Sequence, residues 1–257
     1  MRDPKHILIT GASSGLGAEL ARTYAVPGIA LALTGRDAAR LEAVAEQCRA
    51  QGATVETAVL DVTDAAALEG WMLARDEALP IDLAIANAGI SAGTGGDTEP
   101  VEQVRRIFAV NVDGVMNTVL PLIPRMQARR RGQIALMASL AGFRGFPGAP
   151  AYCGSKAAVK IYGEGLRGVL AGSGIGVSVI CPGYVRTPMT DRNGFPMPFL
   201  MDADKAARLI RDRLAANKAR IAFPWPMLAA VWLLQALPPG FIDPLMRLLH
   251  SKSVDAG

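Results

Sequence analysis

Residues 6–17 read HILITGASSGLG. The first five, His6–Thr10, form a short apolar run of the kind that makes a buried strand. Gly11, Gly15 and Gly17 follow at GxxxGxG spacing, and residues 15–26 then take up the period of a helix. Backbone without Cβ atoms can turn sharply and let a phosphate approach its N–H groups, and a helix N-terminus adds further donors. Three glycines alone decide little. A strand before them, a helix after them and a place in the first βαβ unit are what point to a dinucleotide turn.

The same alternation runs outward from that turn. Strand-like runs are predicted at 29–34 (IALALT), 54–60 (TVETAVL), 82–89 (DLAIANAG), 132–139 (GQIALMAS) and 176–183 (GVSVICPG). Helical periods lie between them at 37–51, 64–78, 101–131 and 151–171. The strands are short, apolar on both faces and not joined by two-residue hairpin turns. That pattern gives a parallel sheet covered by helices on both sides, a doubly wound α/β/α domain with its ligands at the carboxyl ends of the strands. Beyond 184 the alternation weakens: a Pro-, Met- and Phe-rich loop, a polar helix at 202–217, a last strand RIAFP at 220–224, and an apolar, proline-punctuated extension at 224–257. No repeat or linker divides the 257 residues, so one domain is expected.

Composition narrows the function. The formal net charge is +4 with 19% charged residues, and no long Lys/Arg tract with stacking aromatics accompanies it, so nucleic acid is not expected as a partner. Arg129, Arg130 and Arg131 read as cations at the negative end of a helix. Cys48, Cys153 and Cys181 are odd in number and widely spaced, and the histidines are His6 and His250. This argues against disulfides and zinc and for reduced thiols in a cytoplasmic setting. MLAAVWLLQAL at 227–237 is apolar but far short of the ~20 residues of a membrane span. It reads as a core helix, a partner surface or a helix lying on a membrane.

Two further stretches bear on chemistry. The second strand ends LTGRD, with Arg36 where an acidic residue would hold an unphosphorylated adenosine ribose. An arginine there suits a 2′-phosphate, so NADP(H) is favoured over NAD(H), and Asp37 reads as a helix cap. Residues 152–156, YCGSK, put Tyr152 and Lys156 four apart, on one face of a helix. A nearby ammonium favours phenolate and lowers the phenol pKa.

Taken in order, these motifs and several others resemble the classical short-chain dehydrogenase/reductase family over about residues 5–190. TGASSGLG is its cofactor turn; LDVTD, ANAG, VNVDG, MASLAG, YCGSK and PGYVRTPM follow in sequence, with ANAG where the family usually has NNAG. The resemblance implies a Rossmann-type fold and cofactor contacts from Gly11, Ser13, Ser14, Gly15, Leu16, Gly17, Arg36, Asp61, Val62, Asn87, Ala88 and Gly89. Further contacts are implied from Tyr152, Lys156, Pro182, Gly183, Val185 and Thr187. It also implies a catalytic set. Tyr152 is the acid/base, Lys156 tunes the phenol and holds the nicotinamide ribose, Ser139 bonds the substrate oxygen, and Asn111 holds a water that links Lys156 to solvent. The family pairs the helices around 111–130 and 151–171 between subunits, so a homodimer or homotetramer is expected. The expected activity is hydride transfer between a nicotinamide cofactor and a carbonyl or alcohol. The contrasting reading is a dinucleotide sensor or scaffold without turnover. Met189, Phe195, Met197, Phe199, Leu200 and Met201 in the substrate loop, 188–201, suit a lipophilic substrate. Peripheral membrane contact through 224–250 is compatible with either reading. Cys153, Gly154 and Ser155 read as room for the nicotinamide against the helix.

Overall fold

The computed structural model describes residues 3–246. Its centre is a seven-stranded, all-parallel sheet in the order β3-β2-β1-β4-β5-β6-β7. The strands are β1 His6–Thr10, β2 Ala30–Gly35, β3 Thr54–Val59, β4 Leu83–Ala86, β5 Gly132–Met137, β6 Ile175–Pro182 and β7 Arg220–Phe223. Two-residue alternation splits their side chains between two cores. Ile7, Ile9, Leu31, Leu33, Leu83 and Ile85 face α1 Gly15–Tyr24, α2 Ala38–Ala50 and α9 Ala203–Ala215. Leu8, Ala32, Ala84, Ile134, Leu136 and Val177 face the other layer: α3 Ala65–Ala78, α5 Gly114–Val119, α6 Leu122–Ala128 and α7 Pro150–Leu170. Leu8 and Ile9 are wholly buried, and truncating such a side chain costs about 2–5 kcal/mol. Strand order reverses between β1 and β4, which opens a crevice at their carboxyl ends.

The expected doubly wound fold is present, with two departures. The helical run predicted over 101–131 is not one helix. It comprises α4 Val101–Phe108, a π-helical turn Ala109–Asp113, then α5 and α6, and it ends at Ala128. By length and composition Val101–Ala128 could cross a membrane. Here Ile107, Val110, Val115, Val119, Leu122 and Met126 are buried in the domain. The arginine run is also more than a helix terminus. Arg129 pairs with the buried Asp76 at 2.9 Å and donates to the Ile81 carbonyl at 2.7 Å, and Arg131 pairs with Asp82 at 3.0 Å. These bonds tie the chain entering β5 to the chain entering β4.

After β6 come α8 Pro188–Asp191, α9 and β7, and then α10 Trp225–Ala236 and α11 Pro239–Met246. α10 leaves the carboxyl end of β7, the ligand end of the sheet. The expected apolar extension continues through 247–257, which lies outside the described residues together with His250.

Candidate active site

The glycine turn is closed by steric demand. Gly11 sits at φ +68°, and a Cβ there would come within 2.8 Å of Ala88 Cα. A Cβ on Gly17 would stand 2.3 Å from the Gly11 carbonyl oxygen and 2.5 Å from Asn87 Nδ2. Only glycine lets the first turn of α1 pass this close. Asn87 braces the turn, donating from Nδ2 to the Thr10 carbonyl at 3.0 Å and the Gly11 carbonyl at 3.2 Å. Thr10 Oγ1 in turn accepts from the N–H groups of Asn87 and Ala88. The ends of β1 and β4 are thus bolted together at the crevice. Ser14 is the N-cap of α1 and makes no side-chain cap bond.

A groove of about 440 Å³ runs over this turn. Gly11, Ser13, Ser14, Gly35, Arg36, Asp61, Val62, Ala88 and Gly89 line it, together with Asp37, Arg40, Leu60, Ile90 and Val110. Its glycine floor and free helix N-terminus fit the pyrophosphate of a dinucleotide. At its far end Arg36 is exposed and lies 3.8 Å from Asp61. Asp37 caps α2 by accepting from the Arg40 N–H at 2.9 Å, as expected, and also pairs with the Arg40 guanidinium at 2.7 Å. These bonds hold its carboxyl below the usual carboxylate range. Leu16, Gly17, Asn87, Pro182, Gly183, Val185 and Thr187 do not line the groove. Leu16 and Val185 belong to the core below it. Thr187 caps α8, and its methyl group is the neighbour that a Cβ on Gly15 would meet at 3.2 Å.

Ser139, Tyr152, Lys156 and Asn111 converge beyond the other end of the groove. Ser139 leaves β5 and begins a 3₁₀ turn, Leu140–Gly142. Its hydroxyl accepts from the Ala141 N–H at 3.1 Å, donates toward the Pro182 carbonyl at 3.3 Å and hydrogen-bonds Tyr152. Phe143 anchors the turn, with Lys160 4.9 Å and the Arg220 guanidinium 5.5 Å from its ring centre. Lys156 is buried, donates to the Met137 carbonyl at 2.8 Å and lies 5.9 Å from the Tyr152 ring centre. A Cβ on Gly89 would be 3.3 Å from its Nζ, so the ammonium borders the groove. Asn111 is fully buried in the π-helical turn. It accepts from the Ile90 N–H at 2.8 Å and donates to the Ile90 carbonyl and to Ser155 Oγ, each at 3.0 Å.

A profile of the short chain dehydrogenase family matches residues 5–195. The chain belongs to the short-chain dehydrogenase/reductase family. An uncharacterized oxidoreductase of Myxococcus xanthus is 40% identical over 244 residues, 95% of this chain and 96% of that protein. Among solved structures, a short-chain dehydrogenase from Sphingobium yanoikuyae in complex with NADPH is 29% identical with a TM-score of 0.80 and covers 98% of both chains. A short chain dehydrogenase/reductase from Burkholderia phymatum in complex with NAD is 27% identical with a TM-score of 0.83, covering 100% of this chain and 98% of that one. The protein is therefore a nicotinamide-dependent oxidoreductase acting on CH–OH or C=O groups.

One expectation for this dehydrogenase needs correction. The Tyr152 phenol is not held low by Lys156. Burial pushes it up to about 12, against a smaller lowering by its bond to Ser139. Burial also pushes the Lys156 ammonium down to about 8. Desolvation disfavours both charged forms, and Lys156 donates to Met137, so the charge does not outweigh the loss of water around the phenol. Of residues 153–155, Ser155 is wholly buried beneath Asn111, whereas Cys153 and Gly154 line a cavity of about 410 Å³ with residues 141–147.

Ser155, expected only as room, has a bonding role that the sequence reading missed. It donates to the Tyr152 carbonyl at 2.8 Å and so joins Asn111 to the helical turn that carries the tyrosine. Thr10 and Arg40 were missed as well. A strand-end threonine and a second arginine four residues after Arg36 were the available signals.

Proposed function

We propose that this dehydrogenase transfers hydride between NADP(H) and a bulky, lipophilic carbonyl or alcohol. The observation that carries the reading is the joining of Ser139 and Tyr152 by a hydrogen bond at the carboxyl end of the sheet, with Lys156 Nζ at the border of the dinucleotide groove. A nicotinamide held along the groove would supply or accept the hydride. The Ser139 hydroxyl would bond the substrate oxygen and stabilise its developing charge. Tyr152 stays protonated throughout the physiological range, and an alkoxide is a far stronger base than its phenolate, so proton donation during reduction runs downhill. Lys156 would hold the ribose and favour the resulting phenolate. Asn111, through the π-helical turn, would order the water that returns the proton.

The 2′-phosphate preference is supported by Arg36, with Arg40 behind it, at the end of a strand that carries no acidic residue there. A lipophilic substrate is supported by the segment 184–201. Tyr184 meets Phe195 edge to face with ring centres 6.1 Å apart, while Met189 and Phe199 are exposed. A screen of purified protein and NADPH against lipophilic ketones, with NADP⁺ against the matching alcohols, tests the whole reading. Tight cofactor binding without turnover across the panel would replace it with a sensor or scaffold.

We also read the chain as a cytoplasmic homodimer or homotetramer. Exposed Phe108, Leu120, Ile161 and Val169 on α4 to α7 support the assembly, and sedimentation as a monomer at micromolar concentration would remove it. Trp225, Trp232, Leu233 and Phe241 are exposed in a stretch, 221–242, without a charged residue. They support peripheral membrane contact, which liposome flotation of the full chain against a variant lacking 224–257 tests.

A further inference from the structure

The helix that carries Tyr152 and Lys156 has no cap of its own. Its N-cap is Ala149, which offers no side-chain acceptor, and Pro150 follows at the first helical position. The first free N–H of α7 is therefore that of Ala151, one residue before Tyr152. It is not left to solvent: Ala151 is buried, and its N–H donates to Glu99 Oε2 at 2.8 Å. Glu99 comes from the loop between β4 and α4, 52 residues away in sequence.

Three further contacts fix that loop against the start of α7. Gln103, itself buried, donates to the Gly93 carbonyl at 3.0 Å and lies 3.4 Å from the other Glu99 oxygen. The Thr94 N–H donates to the Gly148 carbonyl at 3.1 Å. Ala92, Ile107 and Ala151 form a small apolar cluster between the two segments. A carboxylate at this point satisfies an orphan donor and meets the positive end of the α7 dipole.

We propose that Glu99 is a positioning residue, an external cap that fixes the first turn of α7 and with it the Tyr152 phenol. The inference rests on the reading of Tyr152 as the acid/base, but its test needs no substrate. The loop 91–100 packs against the start of α7, so its conformation and the placement of the phenol are linked through these contacts, of which the Glu99 bond alone reaches an N–H of the helix.

The protein has four tyrosines, so 3-fluorotyrosine labelling gives four ¹⁹F resonances, and Tyr152→Phe assigns the one that matters. Glu99→Ala should shift or split the Tyr152 resonance while those of Tyr24, Tyr162 and Tyr184 stay in place. It should also raise amide exchange at residues 151–153 by about tenfold, the opening expected for loss of one cap. Glu99→Gln keeps an acceptor oxygen and should restore both readouts to within about twofold. Glu99→Asp, one methylene shorter, should fall between them and serves if the alanine variant does not fold. Wild-type behaviour of Glu99→Ala in both readouts overturns the proposal, as does a glutamine variant as disturbed as the alanine one. Absence of turnover in the wild type would count against the assigned function and leave this test intact.

Discussion

Arg36→Ala should cost NADPH affinity and leave NADH affinity almost unchanged. Arg36 closes the adenosine end of the groove, is 63% exposed and has Asp61 as its neighbour at 3.8 Å. A hydrogen bond to a charged group is worth about 1.5–3 kcal/mol net. Solvent screening at this exposure trims that to about 1–2 kcal/mol. The loss is then about 5- to 30-fold in Kd for NADPH and less than about twofold for NADH. Arg40 stands one helical turn further on, partly neutralised by Asp37 at 2.7 Å, so some preference should persist in the variant. Raising the salt from 0.1 to 0.5 M should shrink the difference between wild type and variant, since an exposed contact is screened. Titration of both reduced cofactors by nicotinamide fluorescence reads all of these values. Equal weakening of NADPH and NADH, or an unchanged ratio of the two, would mean that Arg36 does not meet a 2′-phosphate.

Gly17→Ala places a methyl group 2.3 Å from the Gly11 carbonyl oxygen; it should weaken both cofactors by at least about tenfold in the same titration, the effect of displacing the turn. Lys156 has its folded-state pKa lowered to about 8 from 10.5, so between those values the unfolded chain binds more protons and stability rises with pH. Urea unfolding from pH 8 to 10.5 should show that rise in the wild type and a flatter profile in Lys156→Met; parallel profiles would contradict the burial of the ammonium. Asp76→Asn leaves Arg129 without its charged partner at a site where Asp76 also accepts from the Ile81 N–H at 2.8 Å. It should cost about 3 kcal/mol in urea unfolding, and a loss below about 0.5 kcal/mol would make the pair a surface contact.

The sheet was readable because its strands are apolar on both faces and its helices keep their own period; every predicted strand is present to within a few residues. The site was readable in so far as its residues sit in local motifs, at strand ends for Gly11 and Ser139 and in the first turn of α7 for Tyr152. Effects that arise only from packing were not. AVNVD carries no helix breaker, and its π-helical turn accompanies the bonds of Asn111 to Ile90, 21 residues away. Three consecutive arginines look solvated until Asp76 is brought 53 residues along the chain to meet one of them. The direction of the Tyr152 shift depends on how much water the fold removes from the phenol, which spacing does not encode. Glu99, next to Pro100 and just before α4, reads as part of that helix start, whereas its carboxylate serves α7.

The acid/base role of Tyr152 is tested most directly by comparing wild type and Tyr152→Phe in one preparation, with NADPH oxidation by a lipophilic ketone from the screen and NADPH binding by fluorescence. The geometry predicts loss of turnover by at least about a hundredfold, with NADPH affinity within about threefold of wild type, because the hydroxyl faces Ser139 and the pyrophosphate is held by the turn at Gly11–Gly17. Retained turnover in the phenylalanine variant would contradict the account, whatever the cofactor titration shows.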